Sequence, residues 1–184
     1  MRTRPLLAAL LTLALLLVAC GGEDDDDDSR PAGRAAKGTG YTVTMPGGWS
    51  DHTKKTEGGI INFDLLLGRP PRDGFAVNVM VLREPYEGDA PKIAELRTTI
   101  RESMRASGAK RVRDAGDRRV DGAVAITHDY RQTSPAGPVR GRQVAVNHKD
   151  AIYSVTLTTL ADGFEAQLPV LNRLLASWTW EDGA

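Results

Sequence analysis

Two runs of alternating polarity meet at Lys149-Asp150, and this junction constrains the fold more than any other stretch of the chain. Residues 139–148 and 152–160 repeat with the period of two that belongs to a β-strand. A gap of two residues between such runs is a hairpin turn. The register follows: Val146 opposes Tyr153 and Val144 opposes Val155 on one surface, while Gln143 opposes Thr156 on the other. An antiparallel sheet is therefore the centre of the fold.

Further strands read from the same signal. The segment 41–45 alternates and stops at Pro46-Gly47-Gly48; 60–67 and 75–82 flank the turn-rich 68–74; 111–120 and 123–132 precede the hairpin. Between them Ile93, Leu96, Ile100 and Met104 recur at helical spacing, with Asp89 placed as N-cap, Pro91 in the first turn and Gly108 as the stop. A second helix presents Phe164, Leu168, Leu171, Leu175 and Trp178 on one side. Asp162 and Glu165 have capping-box spacing there, and Pro169 implies a kink or a late start. The order β-β-β-α-β-β-β-β-α gives an α+β domain: an antiparallel sheet of six to seven strands with two helices packed on one face.

Cys20 is the only cysteine. Before it stand Arg2, Arg4 and a 14-residue apolar and small stretch from Leu6 to Ala19, too short to span a bilayer but suited to a leader. Leu17-Val18-Ala19-Cys20 resembles the bacterial lipobox. That resemblance implies cleavage before Cys20, a diacylglyceryl group on its sulfur, and an extracytoplasmic protein held on the outer leaflet of the cell membrane. An ordinary secretory leader with an incidental cysteine is the alternative. No disulfide remains available, so packing alone must hold the fold. The expected division is 1–19 as signal peptide, 20–40 as lipidated acidic linker and 41–182 as the domain. Glu23 to Asp28 are six consecutive acids without calcium-loop spacing. The linker has little apolar side chain to bury and should span roughly 25 Å as a coil.

With the leader and the acidic run set aside, residues 29–184 hold 22 basic and 18 acidic groups, a net of +4. That balance is too weak for a nucleic-acid binder. Arginine outnumbers lysine 18 to 6, which reads as the bias of a G+C-rich, actinobacterial genome.

The element order, Tyr-Thr-Val-Thr-Met-Pro-Gly-Gly-Trp at 41–49 and Ala-Ser-Trp-Thr-Trp at 176–180 together resemble the PsbP/Mog-type α/β domain. Within it, the chain looks closest to the small LpqN/LpqT-type lipoproteins of mycobacteria. The resemblance spans about 40–181 and rests on structural motifs. It implies a module that binds partners rather than catalyses, by analogy of fold; the domain is expected to be a monomer.

Motifs for chemistry are sparse. Trp49 and Trp178 adjoin element ends and are expected in the core; Trp180 shares a face with Trp178 only in an extended segment. His52, His128 and His148 lack any zinc-ligand spacing, and no metal or cofactor is expected beyond the acyl modification at Cys20. Ser50-Asp51-His52 are contiguous, whereas a triad is assembled in space. Ser134 and Ser154 lack a nucleophile elbow. Strand period two places Asn62, Asp64, Asn78, Thr127, Asp129, Gln143, Asn147, Ser154 and Thr156 opposite the apolar residues, as a candidate polar binding face. Its alternative is the solvated back of a one-sided sheet. The function expected is a non-catalytic binding or accessory module in the cell envelope, recruiting a protein or glycan. The rivals are an envelope hydrolase or small-molecule carrier with a loop-assembled site, and a passive spacer.

Overall fold

The computed structural model describes residues 33–56 and 61–181. Cys20, the leader and the acidic run lie outside them. The strands are β1 (Ala35–Gly38), β2 (Tyr41–Thr44), β3 (Ser50–Asp51), β4 (Leu65–Gly68), β5 (Asn78–Pro85), β6 (Lys110–Val120), β7 (Ala123–Ser134), β8 (Gly137–His148), β9 (Ala151–Leu160) and β10 (Thr179–Trp180). Two helices, α1 (Ile93–Ala106) and α2 (Phe164–Ala176), complete an α+β fold.

Seven strands form one antiparallel sheet in the order β3-β4-β5-β9-β8-β7-β6. Its centre has the register that Lys149-Asp150 predicts: Val146 opposite Tyr153, Val144 opposite Val155, Gln143 opposite Thr156. Lys149, at φ 51°, supplies the left-handed residue such a turn needs. A smaller sheet sets β2 between β1 and β10.

The helices take opposite faces of the large sheet, not one face. Along β9, Tyr153, Val155 and Leu157 belong to the core with Leu171, Leu174 and Leu175 of α2. Ile152, one residue out of phase, packs with Ala145, Ile126, Tyr130 and Leu96, Ile100 and Met104 of α1. The small sheet closes the α2 side. Tyr41 stacks on Trp178 at 3.9 Å, with Trp180 edge-on, and Trp49, Trp178 and Trp180 are all buried. On the α1 side a Cβ at Gly141 would lie 2.2 Å from the Tyr130 ring, so that ring occupies the space a side chain would need.

Four local expectations are corrected. The fold begins at Ala35 rather than Tyr41: Ala35–Gly38 pair with Thr44–Tyr41, so the spacer ends before residue 40. The N-cap of α1 is Lys92, not Asp89. Pro91 biases Ala90 towards extended backbone, and a helix cannot start through it. Asp162 lies in a 3₁₀ turn, Gly163 is the N-cap of α2, and Glu165 bonds Arg140 instead of closing a capping box. Pro169 sits exposed inside α2, which starts at Phe164 without delay.

Candidate functional site

The register divides the polar residues singled out by period two. Asn78, Gln143, Asn147, Ser154 and Thr156 share the α1 face. Thr127 opposes Val144 and Asp129 opposes Arg142, which places both on the α2 face. Asn62 is exposed ahead of β4, and Asp64 accepts the Thr39 N–H at 3.1 Å and its hydroxyl at 2.6 Å, holding the β1–β2 turn. The set therefore does not form one surface. The sheet has a helix on each side, so apolar and polar residues occur on both faces and alternation cannot tell them apart.

The α1-face members are covered, not solvated. Asn78, Gln143, Ser154 and Thr156 are buried, beside His128 and Thr158. Asn147 accepts the Tyr86 hydroxyl at 2.8 Å and fixes the approach to α1. Asp51 accepts from the Thr53 N–H and hydroxyl, at 2.9 and 2.6 Å, so Ser50-Asp51-His52 serves a turn. His148 stacks on Trp180 at 3.9 Å. Among the described residues no group of three His, Cys, Asp or Glu could hold a metal, and no helix is long and apolar enough to cross a membrane.

Asp129 leads to a different site. Its carboxylate is gripped by Arg142, Nε to Oδ1 at 2.6 Å and Nη2 to Oδ2 at 3.0 Å. Arg113 stands across the strand, 4.0 Å from Oδ2. Around this pair, Arg111, Arg113, Asp129, Tyr130, Arg131 and Arg140 line a recess of about 80 Å³. Arg140 lies 3.9 Å over the Phe164 ring at the start of α2 and bonds Glu165 at 2.9 Å. Arg118, further along β6, bonds Asn172 through Nη1, while its Nε has no hydrogen-bond partner among the described residues. Burial first, then the charge of Arg142, lowers its affinity for a proton.

Among the described residues five guanidiniums, those of Arg111, Arg113, Arg131, Arg140 and Arg142, meet two carboxylates, Asp129 and Glu165, an excess of three positive charges. Arg111, Arg113 and Arg131 are exposed, and among the described residues Arg111 and Arg131 have no ion-pair partner. The local backbone is irregular: β6 slips register between Lys110 and Arg113, and Arg111 holds φ 50°. A bulge of this kind re-aims side chains at a strand edge. Such an arrangement can hold an anion through several N–H donors at once.

The sequence reading missed these arginines, although a signal existed. Ser134 pairs Gly137 across the two-residue turn Pro135-Ala136. Counting back from that turn, as from Lys149-Asp150, brings Arg131 opposite Arg140 and Asp129 opposite Arg142.

No family model and no curated protein matches the chain. Solved structures do. PsbP (CyanoP) of the cyanobacterium Synechocystis sp. PCC 6803 aligns over 89% of this chain and 98% of its own, with TM-score 0.58 and 18% identity. LpqN of Mycobacterium tuberculosis, described as involved in cell envelope biogenesis, aligns over 80% and 84%, with TM-score 0.57 and 12% identity. A Pseudomonas aeruginosa protein of unknown function aligns over 80% and 96%, with TM-score 0.51 and 16% identity. At these identities the likeness is one of fold: the chain has a PsbP-like, LpqN-like architecture.

Proposed function

We propose that this chain is a non-catalytic binding module of the cell envelope, anchored through lipidated Cys20 to the outer leaflet and recruiting an envelope protein or glycan as a monomer. The observation that carries the reading is the arginine-lined recess. It is open to solvent and holds more positive charge than the acids beside it among the described residues neutralise, which suits an anionic group on another molecule. Its interior is far below the several hundred Å³ of a small-molecule cavity, which suits docking of a charged group on a larger partner rather than enclosure of a substrate. The Leu-Val-Ala-Cys stretch supports the anchor, and the fold shared with a neighbour described as involved in cell envelope biogenesis supports the accessory role.

Crosslinking in cells followed by capture of the anchored protein tests this. One dominant partner or glycan is expected, and Cys20→Ala should abolish both membrane retention and that capture. A Cys20→Ala protein that is processed normally and stays on the membrane overturns the anchor. Absence of any enriched partner overturns the binding role.

A further inference from the structure

We infer that the recess binds a phosphate group carrying at least two negative charges, the exposed end of a phosphorylated envelope molecule. This rests on the binding-module reading and names the chemistry of what is bound. A single carboxylate satisfies one guanidinium fork, as Asp129 already does for Arg142. Arg111, Arg113 and Arg131 remain around the same opening, and Arg140 forms its wall against Phe164. Several arginines lining one small volume match a phosphate or diphosphate, whose oxygens accept from more than one fork at once. The recess admits such a group and excludes the rest of its carrier, so the carrier must extend outwards.

Location fits this role. The recess lies at the start of α2. The chain enters the fold at β1, beside Thr44, whose N–H bonds the Ser177 hydroxyl just past the other end of α2. The 13 residues between correspond to about 20 Å. The anion site and the start of β1 thus lie at opposite ends of α2.

The test is calorimetric titration of the full chain in neutral detergent with pyrophosphate. One saturable site is expected. Arg113→Gln with Arg131→Gln should weaken it at least about tenfold, the equivalent of one charge-assisted hydrogen bond. Arg105→Gln with Arg173→Gln, the same loss of charge on the helices, should leave it unchanged; both pairs are exposed, and their thermal melts verify folding. Equal weakening by both pairs, or no saturable site, overturns the inference. Displacement by phosphatidic acid, with phosphatidylcholine as the blank, assigns the phosphate to a lipid headgroup; displacement by glucose 1-phosphate assigns it to a glycan. Partner capture that persists without pyrophosphate binding overturns the phosphate chemistry and spares the binding role. Pyrophosphate binding without any captured partner does the reverse.

Discussion

His128 is 1% exposed, and its Nε2 has no hydrogen-bond partner among the described residues. Across the strands it opposes Gln143, whose Oε1 is also unpartnered, so this polar pair sits under α1 at a cost in desolvation. Burial pushes the imidazole's proton affinity down, and Arg97 and Arg101 add to that; Asp114 and Asp117 pull the other way. A histidine held neutral in the fold takes up its proton more readily when unfolded. Its contribution to stability is whole above about pH 6.5 and drains away as the pH falls through that value towards the folded one. The urea midpoint should therefore drop between pH 7.5 and 5.5, with a slope no steeper than about 1.4 kcal/mol per pH unit from this one proton. His128→Gln should flatten that dependence. If the variant and the natural protein lose stability in parallel, His128 is not the group responsible.

At the scale of the element, α1 has two attachments. Leu96, Ile100 and Met104 form the apolar stripe that meets Ile126, Tyr130, Ala145 and Ile152, and Arg97 reaches sideways to bond both Asp114 and Asp117 of β6. Asp114 is held below the ordinary carboxylate range first by the Gly116 N–H at 2.9 Å, then by Arg97. This guanidinium thus ties the helix to the edge strand, which its ladder with β7 also holds. Because both acids are about half exposed, the clamp is worth about 1 kcal/mol. Arg97→Met, which keeps the apolar stem, should lower stability by that amount and speed amide exchange in the first two turns of α1 and in β6, leaving α2 unchanged. Unchanged exchange in β6 would show that apolar packing alone holds it. The helix stripe and the central hairpin were legible because each repeats a period over many residues. The opposite placement of the helices was not: Ile126 and Tyr130 look core-facing in either arrangement, and only the register against Ala145 and Gly141 assigns their side. The arginine recess is drawn from β6, β7 and β8, so no single window of sequence contains it.

For the whole molecule, the decisive correction is where the fold starts. Ala-Ala-Lys-Gly has little apolar side chain and reads as spacer, yet it forms β1, with Ala36 buried and Gly38 giving way to the Tyr41 ring. A Cβ on Gly38 would meet that ring at 2.2 Å and Asp64 at 2.4 Å, so the absence of a side chain is what lets the strand close over the aromatic cluster. Strand β1 also covers an edge of β2, while Lys37 pairs Glu181 at 2.8 Å and Tyr153 bonds the Thr39 carbonyl at 3.1 Å. A protein cut to begin at Tyr41 would lose these together and expose the β2 edge for pairing with other chains. One that begins at Gly33 keeps them. Counting about 1 kcal/mol for each of several backbone hydrogen bonds, the shorter protein should be less stable by on the order of 3 kcal/mol, a fall in Tm of roughly 10 °C. It should also associate at concentrations where the longer one stays monomeric. Thermal melts and sedimentation of the two proteins decide the matter: equal Tm and equal mass would place β1 in the tether, and the domain boundary would return to Tyr41.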